Sequence, residues 1–212
     1  MSQQILGTAE DRVLLASDSR VMAWEESGAV ARGQVRKLYQ LGSHAFICSA
    51  GLAVGVDLSQ ALQREIRAAG VTDFMEIKVM AREFLNREYR RFLLENSRWF
   101  QENPEAPRLL YFTLAGYSER LKKCLACVLE SKDLALPFTE IDIGPVLTMP
   151  RVLKVEARFA HLWSDPSQPL EDLAHFCLQA LEKIASRDER VGAPFQVAAV
   201  TARGVEFFAD FS

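Results

Sequence analysis

Residues 3–18 read QQILGTAEDRVLLASD. Two apolar, β-prone runs, Gln3 to Thr8 and Arg12 to Asp18, flank Ala9-Glu10-Asp11, a pattern that predicts a β-hairpin at the start of the chain. A polar stretch rich in Glu, Gly and Ala, Trp24 to Gln34, reads as a connection. Two further strand-like runs follow, Lys37 to Leu41 and His44 to Ala50, split by Gly42-Ser43. The first fifty residues are therefore expected to be mostly sheet.

Helical periodicity then takes over. Leu58, Leu62, Ile66 and Ala69 recur on one face of a segment that Gly70 ends. Phe74, Ile77, Ala81, Phe84 and Leu85 begin a second stripe, predicting one long helix between Asp73 and Asn103 that Pro104 and Pro107 close. Strands return at Leu109 to Gly116 and Lys122 to Ser131, joined across Tyr117 to Leu121, with a weaker one between Leu136 and Ile143. Arg151 to Trp163 reads as a short helix. Leu170, Leu173, Ala174, Cys177, Leu181 and Ile184 mark an amphipathic one after Asp165-Pro166, and Phe195 to Thr201 with Val205 to Ala209 form a closing hairpin. The stretch from Leu134 to Ser167 carries the weakest signal. Helices grouped between blocks of strands, with neither repeat nor low-complexity linker, predict an α+β protein with two sheets covered by helices, a single domain over residues 1–212.

Composition narrows the function classes. A chain of 212 residues, 49% hydrophobic and 25% charged, buries roughly 70% of its unfolded surface and needs neither disulfide nor metal to fold. Net charge is −3, with basic and acidic residues interleaved, so no nucleic-acid footprint is present. The lack of a long apolar run or signal peptide argues against a membrane or secreted protein and for the cytoplasm. Cys124 and Cys127 have CxxC spacing, but on a strand residues three apart face opposite ways, which predicts two separately packed thiols. His44, His161 and His175 sit in apolar or helical contexts that suit structural roles. Phosphate-loop, HExxH, GxSxG and dinucleotide glycine motifs are absent, so no cofactor or metal is expected.

Three segments carry more. They are Leu14-Leu15-Ala16-Ser17-Asp18-Ser19-Arg20, Val35-Arg36-Lys37-Leu38-Tyr39-Gln40-Leu41 and Ser49-Ala50-Gly51-Leu52. In this order they resemble the proteasome β-type subunits of the N-terminal-nucleophile hydrolases. Leu114-Ala115-Gly116-Tyr117 resembles that family's I-A-G-Y strand, and Arg187-Asp188 followed by Gly192 and a hairpin resembles its C-terminal part, so the likeness spans nearly the whole chain.

The resemblance implies a four-layer α-β-β-α sandwich and a catalytic group made of Ser2, Asp18, Lys37, Gly51 and Asp188. Removal of Met1 would leave Ser2 as both nucleophile and base, because an α-amine with a pKa of about 7.7–8.0 accepts a proton near working pH. Lys37 would keep that amine neutral and activate the hydroxyl, and Asp18 would orient Lys37 through a partly buried ion pair. The Gly51 N–H would face the oxyanion, and Asp188 would orient the amine. The chain departs from the family in three places. Serine stands for threonine and lacks its rotamer restriction. Val191 stands where the family's R-D-x-x-S-G serine supports the terminus, and Gly144-Pro145-Val146 lacks the G-S-G serine.

The implied activity is self-compartmentalising endopeptidase action on peptides or unfolded protein, in a homo-oligomeric double ring with room for an unidentified ATPase regulator. The missing serines imply low activity and keep open a ring that binds peptides without cutting them.

Overall fold

A computed structural model describes residues 2–25, 28–104, 108–131 and 137–210. Met1, Pro107, Leu134 and Leu136, which figured in the sequence reading, lie outside them. The opening hairpin is present: β1 (Gln4–Thr8) and β2 (Arg12–Ser17) pair antiparallel with Gln4 opposite Ser17 and Thr8 opposite Val13. Then come β3 (Arg20–Glu25), β4 (Gly28–Gln34), β5 (Leu38–Gly42) and β6 (Ala45–Gly51). Helices α1 (Val54–Ala69), α2 (Phe74–Glu95) and α3 (Ser97–Glu102) lead to β7 (Leu110–Ser118), β8 (Lys123–Ser131), β9 (Thr139–Ile141) and β10 (Val146–Met149). The chain finishes with α4 (Leu153–Trp163), α5 (Leu170–Ala185), β11 (Gln196–Thr201) and β12 (Gly204–Ala209).

The result is a mixed α+β protein. Strands form two antiparallel five-stranded sheets, ordered β10-β1-β2-β11-β12 and β5-β6-β7-β8-β9, plus the separate ribbon β3-β4. Strand alternation shows what covers each face. In β2, Val13 and Leu15 join a cluster containing Phe46, Cys48, Ala115 and Val128 of the second sheet, whereas Leu14 and Ala16 pack with Phe159 and Trp163 of α4 and Leu173, Cys177 and Leu181 of α5. In β6, Phe46 and Cys48 face the first sheet, and Ala45 and Ile47 pack with Leu58, Leu62 and Ile66 of α1 and Ile77, Ala81 and Leu85 of α2. Strands covered on both sides need apolar residues at every position, which is why runs such as VLLA show no polar alternation. The same alternation separates Cys124, between the sheets, from Cys127, under the helices; both are free.

Local chemistry sets the helix ends. Gly70 ends α1 in the left-handed conformation (φ 67°), its N–H bonded to Arg67 O. Asp73 caps α2 by accepting from Met75 N at 2.8 Å, and also accepts from the Ser118 hydroxyl and Arg120 N, tying that helix to the β7–β8 turn.

Three sequence expectations need correction. Trp24 to Gln34 is not a connection: it belongs to the ribbon, which pairs Trp24 with Ala29 and Arg20 with Gln34. The long helix breaks at Asn96, whose Nδ2 donates to Phe92 O at 2.8 Å; Phe100 keeps the apolar stripe going beyond the break and hides it from periodicity. Four-residue β10, set between Pro145 and Pro150, was missed; it pairs with β1, Met149 opposite Gln4. Among the described residues no helix is long and apolar enough to cross a membrane.

The fold positions β1 through Trp163. A Cβ on Gly7 would stand 2.8 Å from the Trp163 ring and 3.0 Å from Phe159, and Trp163 Nε1 donates to Thr8 O. Because neither ring has room to yield in this cluster, Gly7→Ala should cost about 1–3 kcal/mol by overpacking. Urea unfolding checks this; unchanged stability would show that α4 shifts freely on β1.

Candidate active site

Register brings the site together. Gln4, Ser17, Gln196 and Met149 lie at one end of the first sheet, and β5 starts and β6 ends at one end of the second. Residues just outside those ends, Ser2, Asp18, Lys37 and Gly192, gather there.

Asp18 is the hub. Its Oδ1 accepts from Gln3 N at 2.9 Å and from Lys37 Nζ at 3.0 Å; its Oδ2 accepts from Arg20 N at 3.0 Å and Gly192 N at 3.4 Å. Lys37 Nζ also donates to Arg20 O at 2.7 Å. The side chains of Asp18 and Lys37 are 0% and 4% exposed, so the pair is fully buried, not partly buried as the sequence suggested. Burial pushes the Lys37 ammonium below the usual lysine range, opposed by the Asp18 charge and hydrogen bond. Ser2 is itself buried, and the peptide N–H that follows it ends on the same carboxylate oxygen as Lys37 Nζ. The backbone N–H that follows Ser2 and the Lys37 ammonium therefore meet at one Asp18 oxygen.

Gly51 sits at the end of β6 nearest Lys37, since Leu38 pairs with Cys48 and Ser49 N donates to Lys37 O. Its φ of +105°, and a Leu109 carbonyl oxygen 2.1 Å from where a Cβ would be, admit only glycine. Asp188 occupies the turn after α5. Its carboxylate accepts from Arg190 N, Nε and Nη2, and the Arg190 hydrogen bond chiefly holds its pKa down at about 2. That turn is tied to the hub by Arg20, whose guanidinium donates to Glu189 O and lies flat on Gly192, where a Cβ would come within 2.6 Å. Arg20 and residues 185–190 line an open depression of about 670 Å³. Val191 is buried, with its N–H on Asp188 O.

Neither a protein-family model nor a curated protein sequence matches the chain. Its chemistry must be read from the residues.

Buried polar groups that the sequence reading passed over surround the hub. Gln4 Oε1 accepts from Thr113 Oγ1 at 2.7 Å, and Gln4 Nε2 lies 3.2 Å from Cys48 Sγ. Burial pushes the Cys48 thiol up to about 12, so it is a neutral packed group and not a second nucleophile. Gln196 Oε1 accepts from Lys37 N and Leu38 N. A glutamine inside an otherwise apolar strand is the one available signal for such residues, because a buried amide needs partners. Among the described residues no group of three or more His, Cys, Asp or Glu could hold a metal.

Proposed function

We propose that the chain is a peptide-bond hydrolase of the N-terminal-nucleophile type, a proteasome β-like four-layer α-β-β-α sandwich in which Ser2, once it is the first residue, is the nucleophile. The supporting observation is the single Asp18 oxygen that accepts both the peptide N–H following Ser2 and the Lys37 ammonium. Apolar clusters on both faces of both sheets support the layering.

In this reading the Ser2 α-amine takes the hydroxyl proton as Oγ bonds to a substrate carbonyl carbon. The Gly51 N–H stabilises the oxyanion. The scissile C–N bond breaks, the amine returns the proton to the leaving nitrogen, and water then releases the acyl group as a carboxylate. Lys37, held by Asp18, disfavours a charged α-amine and so keeps the base available. Exposed Val79, Leu94 and Trp99 on α2 and α3 support assembly through that face into a homo-oligomeric ring in the cytoplasm, acting on peptides or unfolded protein.

One observation favours a second reading, a ring that binds peptides without cutting them. Val191 brings no hydroxyl to the terminus and the Asp188 carboxylate is engaged by Arg190, so the amine has fewer groups to orient it. An epoxyketone peptide separates the two readings because it reacts with the hydroxyl and free α-amine of one residue. Intact mass should show a chain beginning at Ser2, peptide mapping should place the adduct there, and Ser2→Ala should not label. Fully trimmed wild-type protein that neither labels nor cleaves a broad peptide library leaves only the silent ring.

A further inference from the structure

We propose that Gln196 is a positioning residue for Lys37, setting the ammonium against Asp18 by holding the lysine's own backbone. This rests on the catalytic reading of the Ser2–Asp18–Lys37 cluster for its consequence, though not for its geometry.

Gln196 is the first residue of β11 and is fully buried. Its Oε1 accepts from Lys37 N at 2.8 Å and Leu38 N at 3.3 Å, so one side-chain oxygen receives both amides at the start of β5. The other end of the amide is fixed as well: Nε2 donates to Asp210 Oδ1 at 3.3 Å, and Asp210 Oδ2 pairs with Arg36 Nη2 at 3.0 Å. The amide orientation is thereby determined, since a flipped amide would aim its NH2 at two N–H donors. Gln196 also stands opposite Ser17, the residue before Asp18. Gln196 therefore carries the position of the carboxylate strand, β2, across to the backbone of the lysine, joining the two sheets at the point where the ion pair spans them. A flexible four-carbon side chain reaches a fixed oxygen reproducibly only if its Cα is fixed, and the Lys37 Nζ distances of 3.0 Å to Asp18 and 2.7 Å to Arg20 O require that.

Gln196→Met keeps the volume and removes both hydrogen-bonding ends. Two measurements on the full-length protein test it. In the first, amine acetylation is mapped by mass spectrometry, with alkylation of Cys177, a fully buried residue of α5 packed on the other face of the first sheet, reporting global opening. Acetylation of Lys37 should rise at least fivefold in Gln196→Met while the α5 thiol of Cys177 stays protected. Unchanged Lys37 reactivity, or Lys37 and Cys177 opening together, overturns the proposal, the latter making Gln196 a general packing residue. In the second, peptide hydrolysis should lose at least tenfold in kcat with KM within twofold, and the loss should vanish in a Lys37→Ala background. An equal loss in that background overturns a role through Lys37. Wild-type protein without activity defeats the catalytic reading alone, because the acetylation comparison still decides the positioning.

Discussion

Asp18→Ala should be the most destabilising single change at the site, costing about 3–5 kcal/mol, because removing one partner of a buried ion pair leaves the other charge uncompensated. The carboxylate accepts from three backbone N–H groups and from Lys37 Nζ, with no exposed surface at which water could replace it. Against a total stability of about 5–15 kcal/mol, that loss is a large fraction. Asp18→Asn should cost less. The amide keeps one acceptor oxygen but turns its NH2 toward donors on the other side, so the Gln3 and Lys37 bonds and the Arg20 and Gly192 bonds cannot all survive. Urea unfolding followed by circular dichroism measures both variants. A loss under 1 kcal/mol for Asp18→Ala would show that water enters the cluster and that the pair is not buried in solution.

What the sequence revealed and what it hid follow from the range of the interactions. Helix α1 was legible because Leu58, Leu62 and Ile66 repeat locally and Gly70 ends it locally. The opposite burial of Cys124 and Cys127 was legible because strand alternation is local too. The ribbon from Arg20 to Gln34 was not, since each of its strands pairs with the other, Glu25 opposite Gly28, and the stretch is rich in Glu, Gly and Ala. Strand β10 owes its conformation to β1, about 140 residues away in sequence. At the site, Asp18, Lys37 and Gly51 could be picked out only through resemblance, because nothing local marks a lysine nineteen residues from its carboxylate as buried. Gln196, 159 residues from Lys37, left one trace, a polar residue opening an apolar strand. Arg20 stood in a quoted motif, yet its role depends on Gly192 lacking a side chain, which spacing along the chain does not disclose.

The Asp18 network is wired mainly through backbone. Gln3 N, Arg20 N, Gly192 N and Arg20 O belong to peptide groups that survive any side-chain substitution other than proline. Changing the side chain of Gln3 therefore removes none of the hydrogen bonds to Asp18, whose donors are three backbone N–H groups and the amine at residue 37. Asp18 and Lys37 differ in what their loss leaves behind: without Asp18 a buried cation stands alone, whereas without Lys37 the carboxylate retains three N–H donors.

Lys37→Met should therefore separate activation from stability. The loss of stability should be smaller than for Asp18→Ala, and hydrolysis or Ser2 labelling should fall by about 10²–10³-fold, the range observed when one preorganised electrostatic group is removed from a reacting centre. The variant's pH dependence gives a second, independent signature. Burial lowers the Lys37 pKa in the native protein, while the unfolded chain holds an ordinary lysine near 10.4. Between those two values the unfolded state binds more protons than the native state, so this group makes wild-type stability rise with pH across the window. Below the lowered native pKa the lysine is protonated in both states and contributes no slope; above about 10.4 it is neutral in both and the gain is complete. Lys37→Met removes the term. Titrations that Lys37 does not perturb cancel in the difference, the α-amine that Lys37 disfavours as a cation adds a change of the same sign at about pH 8, and Cys48, pushed up to about 12, lies above the window. Urea unfolding at pH 7.5 and pH 10 should therefore show wild type gaining on Lys37→Met as pH rises. A difference that stays flat, or shrinks, would mean that Asp18 raises the ammonium's pKa by at least as much as burial lowers it, and that Lys37 is a fixed cation throughout the working range.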